Sequence, residues 1–172
     1  MSVIPRIISV DDHVIEPADV WTSRLPAAYV ERAPRIHIAP KGEMTLVEGA
    51  WVEAPGDGDE MAAWWHFEGR RYQIKRMVAC PGLPPEEVTM EGVTHDDIAP
   101  GCYDPVARVA DMEANHVEAS LCFPNYPRFC GQLFSEVEDR TLGRLCIEAY
   151  NDFMVDEWCG DSAGRLIPLC VV

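Results

Sequence analysis

Three short apolar runs, two of them preceded by helix-patterned segments, constrain this chain more than any other feature. Arg6-Ile7-Ile8-Ser9-Val10-Asp11 is β-branched and nearly all apolar, as expected of a strand covered on both faces. Glu118 to Phe123 reads as a second strand, stopped by Pro124, and Leu166 to Val172 as a third, buried one. Before the second strand, Asp104-Pro105 opens a helix, because Asp caps well and Pro is favoured at the first helical position. Val106, Val109, Ala110 and Met112 keep helical spacing to about Asn115. A second helix is expected from about Val137 to Cys159, with Leu142, Leu145, Cys146, Ala149, Phe153 and Trp158 on its apolar face. Gly160, Asp161, Ser162 and Gly164 break it. Helices alternating with apolar strands argue for a parallel α/β sheet with right-handed crossovers. An open doubly wound sheet and a barrel both fit. No GxGxxG follows the first strand and no Walker A motif occurs, so the nucleotide-binding folds lack their main sign.

Residues 14–103 read as a long irregular excursion from the first strand and not as a separate domain. Pro and Gly recur through it, as in Pro55-Gly56-Asp57-Gly58 and Pro84-Pro85. Inside it, Trp64 to Phe67, then Glu68-Gly69-Arg70-Arg71, then Tyr72 to Ile74 has the pattern of a small hairpin. A connection this long usually serves as a lid or wall of a site. The Trp64-Trp65 pair is expected in a core or interface.

The formal net charge of -15 excludes nucleic acid as a natural partner, since a binder must neutralise phosphates with Lys and Arg. It disfavours an anionic membrane surface in the same way. Met1 to Arg6 lacks the pattern of a signal peptide, and no stretch approaches the roughly 20 apolar residues of a membrane helix. A cytoplasmic protein is therefore expected. The seven cysteines include no CxxC pair, and reduced, mostly buried thiols are expected rather than a zinc ribbon.

In a parallel α/β sheet, chemistry sits at the carboxyl ends of the strands. Asp11-Asp12-His13 stands at such an end. Strand alternation puts Asp11 and His13 on one side and Asp12 on the other. A carboxylate and an imidazole on one face can grip a divalent cation, and the mixed O/N set suits Zn, Mn or Fe better than Ca. The competing reading is a polar turn in which Asp12 or His13 caps the next segment. Asn125 and Tyr126, just beyond the second strand, are candidates to bind substrate by hydrogen bonding and stacking. Trp21 is a candidate wall of the site, with packing under the excursion as its alternative.

Ile8-Ser9-Val10-Asp11-Asp12-His13-Val14-Ile15-Glu16-Pro17 resembles the N-terminal signature of the amidohydrolase superfamily. The likeness is strongest to the amidohydrolase 2 branch, which includes aminocarboxymuconate semialdehyde decarboxylase. Arg108 to Glu113 resembles that branch's first barrel helix, Glu118 to Asn125 its second strand and turn, and Ala149 to Phe153 with Arg165 to Leu169 its second helix and third strand. The resemblance implies an incomplete (β/α)8 TIM barrel, about its first three strands, with a long insertion after the first. It implies a divalent metal, Zn foremost with Mn or Fe as alternatives, on Asp11 and His13. Asp11 would be the acidic variant of the usual first histidine. The family's acid–base His and its remaining ligands, a His and an Asp, would lie beyond residue 172. His37, His66, His95 and His116 are not expected to replace them. The implied activity is that of a carboxy-lyase or hydrolase on a small, often aromatic, carboxylic acid. The alternative is a non-catalytic fragment or subunit that needs a second polypeptide, and an oligomer or self-associating chain is expected.

Overall fold

The computed structural model describes residues 5–172. The chain divides into two compact units. The first comprises residues 5–26 and 100–172 of the described chain, the second residues 27–99.

The first unit is built on a parallel sheet of β1 (Ile7–His13), β7 (Val117–Phe123) and β8 (Leu166–Pro168), in the order β1-β7-β8. α1 (Pro105–Ala114) begins as the sequence predicts. Asp104 caps it by accepting from Ala107 N at 2.9 Å, and Pro105 needs no donor there. A short α2 (Gln132–Ser135) precedes α3 (Arg140–Asp152). α3 starts at Arg140 rather than Val137 because Asp139 takes the cap, accepting from Thr141 N and Leu142 N. The helix continues as a π-helical turn at Phe153–Trp158, where Cys159 N bonds Met154 O at 3.0 Å.

Both ends of the sheet differ from expectation. β1 runs two residues past Asp11, so Asp11 and His13 belong to the strand and not to a turn. Its apolar side chains are not covered: Ile7, Ile8 and Val10 are 55%, 63% and 65% exposed. β1 is an edge strand, paired on one side only by β7, and its composition anticipated neighbours that the described residues do not supply. β8 ends at Pro168, which lacks the N–H a ladder needs. Val171 is held instead by the Asn151 amide, which donates to Val171 O and accepts from Val171 N, each at 2.9 Å.

α1 and the end of α3 meet on one face of this sheet. The Arg108 guanidinium lies 5.5 Å from the Trp158 ring centroid, and both adjoin the fully buried Cys122 of β7. Aromatic packing fills the rest of the unit. Trp21 meets Tyr126 and Phe134 edge-on at 5.5 and 5.6 Å.

The second unit corrects the reading of an irregular excursion. It holds β2 (Arg35–Pro40), β3 (Gly42–Val47), β4 (Ala50–Pro55), β5 (Met61–Phe67) and β6 (Arg70–Gln73). They form an antiparallel sheet β2-β5-β6 and a hairpin β3-β4. The β5–β6 hairpin is the one visible in the sequence. Its Glu68-Gly69 turn has both residues at positive φ, 46° and 76°, as a two-residue turn matching strand twist requires. Glu48-Gly49 repeats that dipeptide and that conformation between β3 and β4. Trp64 and Trp65 are buried in this unit, and Trp64 Nε1 donates to Pro40 O at 3.1 Å.

Candidate functional site

The carboxyl ends of β1 and β7 bring Asp11, His13 and Asn125 to one rim. His13 opposes Phe123 in the ladder and its ring lies 5.8 Å from the Phe123 ring. His13 Nδ1 is 3.0 Å from Pro124 O. A carbonyl only accepts, so Nδ1 carries the proton and Nε2 presents its lone pair. Nε2 is 3.7 Å from Asp11 Oδ1. Two ligands of a tetrahedral zinc site at the usual bond lengths stand about 3.4 Å apart, so this pair needs only a small adjustment to share an ion. The Nδ1 anchor is also how ligating histidines are ordinarily oriented. Both side chains reach solvent.

Asp12 does a different job. A register shift lies between Ser9 and Asp12, and Asp12 opposes Cys122. Its carboxylate accepts from Ser120 Oγ on the helix-covered side of the sheet. The contact continues from Ser120 Oγ to Cys122 Sγ at 3.7 Å. Contact with Cys159, Ser120 and the nearby Arg108 charge draws the Cys122 thiol below the usual thiol range against the effect of burial, while the same contact and burial push the Cys159 thiol up. Four of the seven cysteines are buried and all are free.

Pro124 places Asn125 on the same rim as His13. The Asn125 backbone is fixed from below by Glu16, a residue whose part the sequence reading did not foresee. Glu16 is fully buried. It accepts from Asn125 N at 2.8 Å and from Tyr126 N at 3.0 Å. Burial raises its carboxyl to about 7, against the lowering effect of those two N–H groups. The signal was present as an acid directly after two apolar residues, Val14-Ile15, and before Pro17.

Trp21 and Tyr126 are not on an open wall. Trp21 is 0% exposed and donates from Nε1 to Cys146 O at 3.0 Å. Tyr126 is buried against it. Packing took both, because a large ring next to α3 removes more apolar area from water there than on a rim. Asn125 alone of the three substrate candidates remains half-exposed beside His13.

Among the described residues no group of three or more His, Cys, Asp or Glu side chains converges on a point. Asp11 and His13 therefore fit two positions of a metal site and no more. No helix among the described residues is long and apolar enough to cross a membrane.

No protein-family model matches the chain, and no curated protein does. Among solved structures, an amidohydrolase from Mycobacterium avium subsp. paratuberculosis superposes with a TM-score of 0.62 at 17% identity. The superposition covers 99% of this chain. The two share a fold. The chain spans 44% of that protein's length, less than half.

Proposed function

We propose that these residues are the first three strands of an incomplete (β/α)8 barrel of the amidohydrolase type, close to the aminocarboxymuconate semialdehyde decarboxylase branch. Asp11 and His13 supply two ligands to a divalent metal, Zn before Mn or Fe. The reading is carried by one observation: Nε2 of an Nδ1-anchored histidine faces an aspartate oxygen at 3.7 Å, at the carboxyl end of a parallel strand. α1 and the π turn, which meet beside Cys122 on one face of the sheet, favour a barrel over a doubly wound sheet.

A metal held there supplies Lewis acidity toward a substrate oxygen or a water. Pro124 O keeps the His13 ring in its ligating tautomer. Asn125 offers a hydrogen bond to a small, often aromatic, carboxylic acid, and Glu16 holds the Asn125 backbone still. The other ligands and the acid–base His and Asp belong to the part of such a barrel outside residues 1–172, so turnover is expected only with that part present. Decarboxylation is favoured over hydrolysis through the resemblance alone. A cytoplasmic setting suits the reduced thiols.

Titration of the chain with Zn(II) tests the site. Weak binding is expected, lost in His13→Ala and Asp11→Asn and kept in Asp12→Asn, whose carboxylate faces Ser120. Equal binding by all four proteins would refute the assignment. A second reading, a non-catalytic subunit completed by another polypeptide, is favoured by the uncovered β1 edge.

A further inference from the structure

The second unit gathers positive charge on one face of its sheet, in a protein whose formal net charge is -15. Arg35 of β2 opposes His66 of β5, and His66 opposes Arg71 of β6. Directly opposed residues of an antiparallel ladder share a face, with strands about 4.8 Å apart. One rung therefore presents guanidinium, imidazole and guanidinium in a row. The His37 ring lies 4.4 Å from the His66 ring. The two guanidinium groups flank the imidazole from the strands on either side of it, a spacing that an anion seated over His66 would bridge.

The rung lines an open depression of about 350 Å3. Two polar atoms of the rung, Arg35 Nε and His66 Nε2, are buried and have no hydrogen-bond partner. Carboxylates nearby neutralise it only in part. Glu68 is engaged by Arg32 through Nε and Nη2 at 3.2 and 3.1 Å. Glu31 pairs with Arg35 Nη1 at 3.6 Å from a side chain 86% exposed, and Arg35 Nη2 donates to Val30 O at 2.6 Å, which leaves Nε free to face a ligand. Arg71 has no carboxylate partner among the described residues. Burial, together with His37 and Arg71, holds His66 below the usual histidine range.

We propose that this cavity binds the phosphate group of a small organic phosphate through Arg35, His66 and Arg71. Three separate donor groups on one rung suit a tetrahedral dianion, whereas a carboxylate is satisfied by a single arginine fork. The cavity stands at the low end of the roughly 300–1,000 Å3 of small-molecule pockets. That leaves room beyond the phosphate for a small organic body. The inference concerns residues 31–71 and is independent of the barrel reading.

The test is an NMR titration of the whole chain, following the His66 ring, with inorganic phosphate and with phenyl phosphate at constant ionic strength. Saturable shifts are expected below about 20 mM, with tighter binding of phenyl phosphate and a rise in the His66 pKa. Arg71→Gln, at an exposed position, is expected to weaken binding at least about tenfold, the loss of one charge-assisted contact. Arg35→Gln, its fold checked by circular dichroism, is expected to do the same, and Arg144→Gln in the first unit to change nothing. The proposal is overturned if chloride at matched ionic strength gives the same shifts. It is equally overturned if Arg71→Gln titrates as the unmodified chain does, or if benzoate binds more tightly than phenyl phosphate.

Discussion

Replacing Glu16 by Gln removes a buried proton-binding group while keeping its shape and one acceptor for the Asn125–Tyr126 backbone. Glu16 has an ordinary carboxyl value of 4.5 in the unfolded chain and about 7 in the folded one. The folded state therefore binds the proton more tightly, and the stabilisation is fully present below pH 4.5. It is lost as pH rises through 7. The slope of unfolding free energy with pH is set by the difference in bound protons. Over that window one proton is bound only in the folded state, so the loss is about 3 kcal/mol. The full burial of Glu16 leaves no solvent to screen it. Urea unfolding between pH 4.5 and 8, followed by near-UV circular dichroism of the first unit's aromatic core, reads the effect. The unmodified chain is expected to lose about 3 kcal/mol more than Glu16→Gln across the window. Parallel pH profiles for the two proteins would refute the reasoning. Glu16→Ala is expected to be worse than Gln at every pH, because it strands two buried N–H groups at about 1–3 kcal/mol each.

Trp21→Ala is expected to cost about 3–5 kcal/mol through the cavity it leaves, and Trp21→Phe about 1 kcal/mol more than its lost area, for the bond to Cys146 O; denaturation midpoints check both. The uncovered β1 edge is expected to drive self-association, since burying each of Ile7, Ile8 and Val10 is worth roughly 1.5–3 kcal/mol. Light scattering on Ile8→Lys and Val10→Lys is expected to show smaller species than the unmodified chain, and unchanged masses would count against that edge as the contact.

The parallel sheet was legible because strands in such a sheet carry continuous β-branched runs, and α1 because Asp104-Pro105 is an unambiguous start. Extents were harder. Strand β1 absorbs Asp11 to His13 because pairing with β7 continues to Phe123, a tertiary fact that no local pattern encodes. Strand β8 stops at Pro168 although the apolar run continues, since Asn151 competes for Val171. The second unit was read as irregular because Pro and Gly obscured short alternating strands. Glu48-Gly49 carried the same turn signal as Glu68-Gly69, but its flanks lacked the aromatic run that made the other visible. At the site, alternation separated Asp12 from Asp11 and His13, whereas Trp21 and Tyr126 went to the core through packing with α3 that spacing cannot reveal.

The π turn at Phe153–Trp158 stores one spare residue at the far end of the first unit. A π turn completes its revolution with one more residue than an α turn, whereas each residue of a regular α-helix advances by about 100°. Deleting one residue there lets ordinary i to i+4 bonds close and keeps Trp158 and Cys159 on the face that covers Cys122. The same deletion inside Arg140–Asp152 has no spare residue to absorb it and turns everything after it by about 100°. One-residue deletions are therefore expected to be absorbed in the π turn and to disrupt the first unit when placed in α3.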